Sequence, residues 1–196
     1  MLTARFLFWC ATLGGLAYFL SGFFRRSSNG VYAARCRSIR AIRLAEVLTG
    51  LAWLGVILAV RWDFAFSPWP AGAPVVGVTV AVAGVMLCVW SRLQLRSNFT
   101  VTLGVKQDHQ LITSGPYALV RHPIYTGFLL QLAGGALVYD SGATLLLLLL
   151  PFCGFFYWQS AAEEKLLVDH FGDAYRRYRG TTGRLLPKLL IGGSHG

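Results

Sequence analysis

Residues 123–160 read PIYTGFLLQLAGGALVYDSGATLLLLLLPFCGFFYWQS. This is one apolar stretch long enough to cross a bilayer twice, since a hydrocarbon core takes about 20 residues of helix per crossing. Polar, motif-dense segments flank it. Arg121-His122-Pro123-Ile124-Tyr125-Thr126-Gly127 opens it, and Glu163-Glu164-Lys165-Leu166-Leu167 follows its end. Folding the stretch as a hairpin brings the two polar ends together and places a candidate site at a membrane surface.

The whole chain has the same bias. Of its 196 residues, 55% are hydrophobic and only 13% charged, where a water-soluble domain carries about a quarter charged residues. Spans are expected at roughly 6–24, 44–60, 74–91, 124–139 and 143–160, each near the length a bilayer needs. The predicted class is therefore an all-α, polytopic integral membrane protein with about five transmembrane helices. A cytoplasmic connector before the hairpin and a C-terminal helix after it complete the expectation. One membrane domain, 1–196, accounts for the length, with 1–91 as transmembrane scaffold and 92–188 as the catalytic region.

A net charge of +10 raises the question of nucleic acid, but its distribution answers it. All of the 18 basic residues except Arg5 and Arg61 fall in the connectors 25–43 and 92–123 or in the tail. In a five-span arrangement those segments share one face. The positive-inside rule makes that face cytoplasmic and puts the N-terminus outside, in the inner membrane if the source is bacterial. Membrane lipids are thus expected partners and nucleic acid is not. Cys10, Cys36, Cys88 and Cys153 are scattered without a C-x-x-C, and the histidines do not cluster, so no metal site is expected.

Pro123 suits the first position of a helix, where its missing N–H would be unpaired anyway. A residue before proline is pushed away from helical geometry. His122 is therefore expected at the mouth of the fourth span, with Tyr125 in its first turn. Such a helix start carries free N–H groups and partial positive charge, which favour a carboxylate or phosphate. Val101, Leu103 and Val105 alternate with Thr102 and Gly104, predicting a short extended segment. Leu111-Ile112, then Thr113 to Pro116, predicts a second one ending in a turn. Pro151 is expected to bend the fifth span, which then runs beyond Trp158. Gln159 and Glu163, four apart, share a face. Phe171-Gly172 is expected to end that helix.

These residues, taken with Tyr175, Tyr178 and Gly183-Arg184-Leu185-Leu186-Pro187, resemble the isoprenylcysteine carboxyl methyltransferase family. That family is related more broadly to membrane phospholipid methyltransferases. The resemblance covers roughly residues 92–188. It implies an integral-membrane enzyme that uses S-adenosylmethionine without a Rossmann domain, and no G-x-G-x-x-G fingerprint occurs here. By that resemblance the cofactor would contact His109, Gln110, Leu111, Ile112, Tyr117, His122, Pro123, Ile124, Tyr125 and Glu163.

Arg121 and the helix start suit the cofactor's carboxylate, and Glu163 suits its ammonium or ribose hydroxyls. Tyr117 and Tyr125 offer ring faces to a sulfonium, a contact worth roughly 0.5–2 kcal/mol. Arg121, His122 and Glu164 are the expected catalytic residues. A phenol or amine acceptor would need a base, and His122 or Glu164 is nearest.

One position departs from the family. Prenylcysteine-processing members are expected to carry an arginine one turn before the first motif glutamate, to hold the substrate carboxylate. Here that substrate-binding position is Gln159, and an amide cannot pair bidentately with a carboxylate as arginine does. The expected acceptor is a lipophilic small molecule or a lipidated cysteine entering from the bilayer. Two other readings stay open from sequence: a membrane reductase of the sterol-reductase kind using NADPH, and a non-catalytic membrane protein.

Overall fold

The structure is a computed structural model describing residues 2–24, 70–95, 110–139 and 149–188; for 15–24 it describes the backbone alone. The expected span at 44–60, the extended piece at 101–105, residues 143–148 of the expected fifth span, Cys36 and the expected cofactor contact His109 lie outside the described residues. Among those described, the regular structure is helical: α1 (Leu2–Phe24), α2 (Ala73–Leu95), α3 (Pro116–Leu119), α4 (Pro123–Val138), α5 (Leu150–Phe171) and α6 (Asp173–Thr181). By length and composition, α2 alone among them is apolar and long enough to cross a membrane; α4 and residues 2–14 are shorter apolar helices.

The packing of α2 is inverted relative to a helix in water. Its buried residues are small: Ala73, Gly77, Ala81, Gly84 and Ser91. Its large side chains Val75, Val76, Met86, Trp90 and Leu93 point outward. On α4, Gly127, Gln131, Gly134 and Val138 face this seam. A Cβ on Gly84 would lie 2.5 Å from the Gly127 carbonyl oxygen, and one on Gly77 would lie 2.6 Å from that of Gly134. The two backbones touch there, as small residues permit in apolar solvents where dispersion rather than water drives helix association.

The seam continues to Cys88, whose thiol donates to the Ile124 carbonyl at 3.4 Å. α1 closes the other side: Phe8 packs with Ala81 and Val138, and its ring is what a Cβ on Gly135 would meet. The buried Gln131 amide donates to the Thr12 hydroxyl at 3.2 Å, which satisfies a polar side chain that an apolar interior would otherwise penalise by a few kcal/mol.

The start of α4 and the end of α5 fall where the sequence places them, whereas α1 begins at Leu2 rather than near 6 and α2 runs on to Leu95 rather than 91. Pro123 occupies the first turn of α4, and His122 before it is non-helical at φ −124°, ψ 64°. The 110–113 segment is irregular and turns at Ser114–Gly115, then enters α3, a turn of helix the sequence reading did not anticipate. α5 runs past Trp158 to Phe171 and stops at Gly172, whose φ of 54° favours glycine. The chain then turns directly into α6 and a returning tail. Val120 and Gly183 form an isolated parallel bridge. Across it the Arg121 N–H donates to Gly183 O at 2.8 Å and the His122 N–H to Arg184 O at 3.1 Å. The Thr126 hydroxyl donates to Leu185 O at 2.7 Å. The tail is thereby laced onto the mouth of α4.

Candidate active site

The mouth of α4, the polar half of α5 and the tail meet around two adjacent carboxylates. Glu163 and Glu164 are neighbours on α5, so their side chains leave the helix about 100° apart. Glu164 turns into the protein and is 2% exposed. Its Oε1 accepts from Arg121 Nε at 2.9 Å and Arg184 Nε at 3.0 Å, and its Oε2 accepts from Arg184 Nη2 at 2.9 Å. Arg121 Nη2 also lies 2.8 Å from Oε1. Burial pushes the Glu164 carboxyl up. The nearby His122 ring and the hydrogen bonds from Arg184 and Arg121 outweigh it and bring the pKa down to about 2. Glu164 therefore holds no proton near neutrality, which suits it to orienting its neighbours rather than to shuttling a proton.

Arg121 is equally committed. Beyond Glu164, its Nη1 donates to the Arg179 carbonyl at 3.2 Å and to the Thr182 carbonyl. The structure thus gives Arg121 a place joining α5, α6 and the tail, where the sequence reading had set it against a ligand carboxylate.

Glu163 is the outward member, with its side chain 30% exposed. The Tyr125 hydroxyl donates to its Oε1, and His122 Nδ1 lies 3.3 Å from its Oε2. The His122 and Tyr125 rings are stacked, 5.6 Å between centroids and 5° from parallel. Tyr125 stacks in turn on Phe156 at 4.8 Å. The Gln159 side chain reaches the Tyr125 phenol. His122 Nε2 sits 3.4 Å from Glu164 Oε1, but at an angle that leaves this buried atom without a hydrogen bond. Burial disfavours the imidazolium, yet the carboxylates of Glu163 and Glu164 outweigh it and raise the His122 pKa.

The residues singled out from sequence thus divide. His122, Tyr125, Glu163, Glu164, Arg121 and Gln159 form one contiguous cluster. Pro123 and Ile124 begin the helix that presents it. Tyr117 is buried on α3, where burial raises its pKa, and its carbonyl accepts from the buried Tyr178 hydroxyl. Leu111 and Ile112 are half-buried and Gln110 is exposed, on the approach to α3. The sequence reading missed Arg184 as a site residue, although it stood in the quoted Gly-Arg-Leu-Leu-Pro motif. It also missed Phe156 and Tyr157, which a leucine- and phenylalanine-rich span conceals.

Fold and site together define a helical protein with an outward apolar surface and one polar cluster at the mouth of a helix. The chain belongs to the phospholipid methyltransferase family, whose profile matches residues 73–174. It is 41% identical over 73 residues to the protein-S-isoprenylcysteine O-methyltransferase of Schizosaccharomyces pombe, a match covering 37% of this chain and 31% of that protein. It is 27% identical over 178 residues to the cobalt-zinc-cadmium resistance protein CzcN of Cupriavidus metallidurans, covering 90% and 71%. The fold is similar to the solved structure of the eukaryotic intramembrane Ras methyltransferase, isoprenylcysteine carboxyl methyltransferase. There the TM-score is 0.61 and the identity 24%, over 75% of this chain and 53% of that one. The chain spans about a third of the Schizosaccharomyces pombe relative and about half of the solved one.

Proposed function

We propose that this protein is an integral-membrane, S-adenosylmethionine-dependent methyltransferase acting on a lipophilic acceptor. The observation that carries the reading is the joining of His122, Tyr125 and Glu163 at the start of α4 in a chain of this family. The reductase and non-catalytic readings gain no support from the relatives. In this proposal the chain is one membrane domain of five spans, with 1–91 as scaffold and 92–188 as catalytic region. Its N-terminus lies outside and its tail in the cytoplasm. The large apolar side chains facing out from α2 favour lipid around it.

The residues present fit the cofactor. His122 Nε2 is a buried polar atom lacking a hydrogen bond. Glu163 is a partly exposed carboxylate able to take an ammonium or ribose hydroxyls. The first turn of α4 has no side-chain cap, which leaves amide donors suited to a carboxylate. His109, Gln110, Leu111, Ile112 and Tyr117 would complete the contact along the connector. When bound, the cofactor supplies an electrophilic methyl group.

The protein's part is to hold an acceptor about 3–3.5 Å from that methyl in a dry, aligned setting. Tyr125 and Phe156 form an apolar wall beside Glu163. Gln159, one turn nearer the hydrophobic half of α5, faces the acceptor's side. Should the acceptor carry a proton, His122 is the group placed to take it, because Glu164 is held ionised by two arginines.

The finer proposal concerns the acceptor. Gln159 is neutral, and the cations Arg121 and Arg184 are both committed to Glu164. A carboxylate would therefore approach Glu163 without an available partner from either arginine. Labelled-methyl transfer in detergent should be weak with acetyl-farnesyl-cysteine and stronger with a neutral or phenolic lipophilic acceptor. Gln159→Arg should raise carboxylate turnover roughly tenfold or more, in line with about 1.5–3 kcal/mol for a hydrogen bond to a charged group. Vigorous carboxyl methylation by the unmodified protein, abolished by arginine at 159, would refute the assignment of Gln159.

A further inference from the structure

The tail after α6 is built to hold one side chain in place. A Cβ on Gly183 would lie 1.9 Å from the Leu186 carbonyl oxygen and 2.8 Å from the Lys188 nitrogen. The chain therefore folds back on itself at a point where only glycine fits. The returning strand is tied to the α4 mouth by three hydrogen bonds: from the Arg121 and His122 amides and from the Thr126 hydroxyl. It thereby delivers the Arg184 guanidinium onto Glu164 with two parallel hydrogen bonds, 3.0 and 2.9 Å, while the same guanidinium lies 4.5 Å above the Tyr157 ring. Bidentate pairing fixes orientation as well as distance.

We infer that Arg184 is a positioning residue of the site: through its two-point grip on Glu164 it fixes where the His122 ring stands and how Glu163 is presented to the cofactor. This rests on the methyltransferase reading for the cofactor's identity, though not for the coupling itself. The coupling follows from the geometry. The two ring nitrogens of His122 face two carboxylates, Glu163 at Nδ1 and Glu164 at Nε2. Arg121 and Arg184 neutralise the second. The other group packed against the ring is Tyr125, which is stacked on it. Removing the Arg184 charge leaves Glu164 less neutralised, held at Oε1 by Arg121 alone, so its pull on the imidazolium strengthens. Less of the balance then falls to Glu163.

The test uses the full chain in detergent with isotope-labelled histidine. The His122 signal is identified by its loss in His122→Ala. In Arg184→Gln its titration midpoint should rise by about half a pH unit or more, the direction expected when a compensating cation is removed beside a carboxylate. Affinity for S-adenosylhomocysteine should fall roughly tenfold. Arg184→Lys keeps the charge and loses the fork. It should return the midpoint towards that of the unmodified protein while affinity stays reduced. An unmoved midpoint in Arg184→Gln would overturn the inference, because loss of the cation would then not reach His122 through Glu164. If Arg184→Gln does not fold, Arg184→Lys decides: full affinity there overturns the positioning role. The titration needs no cofactor, so failure of the unmodified protein to bind S-adenosylhomocysteine would remove the methyltransferase reading and leave the coupling decided on its own.

Discussion

Replacing Glu164 with alanine is expected to destabilise the protein by about 3–5 kcal/mol, the range for breaking a buried ion pair by removing one partner. The variant strands two guanidiniums, Arg121 with its side chain 8% exposed and Arg184 with 21%, and it unhooks the tail from α5. The same network has a pH signature. The folded Glu164 carboxyl titrates at about 2 against an ordinary 4.5, so the folded state binds its proton less tightly than the unfolded one. Its stabilisation is fully present above pH 4.5 and is lost as the pH falls from there towards about 2. At 1.36 kcal/mol per unit the loss is roughly 3 kcal/mol. Unfolding midpoints in detergent from pH 7 to pH 3 check this. The unmodified protein should lose stability steeply below pH 4.5, whereas Glu164→Ala should lose less over that interval. Parallel curves would show that the arginines do not depend on this carboxylate.

At the α2–α4 seam a single methyl group is expected to matter as much as a large core change. Gly84→Ala puts a Cβ 2.5 Å from a backbone oxygen on α4, and neither backbone can yield without separating the helices. Overpacking of this kind costs about 1–3 kcal/mol, and it would also displace the mouth of α4. Gly154→Ala on α5 is the contrast, since nothing lies within 4 Å of its added Cβ. Alanine there should be neutral, or should stabilise by up to about 1 kcal/mol through helix propensity. Thermal midpoints of the two variants give the comparison. Equal midpoints would mean that the backbones do not touch at Gly84.

The start of α4 and the end of α5 were legible because their signals are local. Proline at the start of α4 and glycine after Phe171 act on the backbone at their own positions. The seam was not legible from periodicity. Apolar residues dominate every face of α2 and α4, so no hydrophobic stripe marks the buried side, and the informative residues are the smallest ones, Gly77, Gly84, Gly127 and Gly134. The cluster of His122, Tyr125 and Glu163 could be read because a hairpin must join its two flanking ends. The allotment of the two glutamates could not. Whether Glu163 or Glu164 faces inward depends on the rotation of α5 and on where the tail returns, and both are tertiary facts. Arg184 was overlooked for a related reason: its role requires Gly183 to reverse the chain, a constraint visible only once Leu186 is in place.

The central claim is most directly tested by calorimetric titration of the purified protein with S-adenosylhomocysteine and, separately, with NADPH. The account predicts saturable binding of S-adenosylhomocysteine, weakened roughly tenfold or more in Glu163→Gln, since a hydrogen bond to a charged group contributes about 1.5–3 kcal/mol. It predicts no comparable heat with NADPH. Binding of NADPH alone, or affinity for S-adenosylhomocysteine unchanged in both Glu163→Gln and His122→Ala, would contradict it.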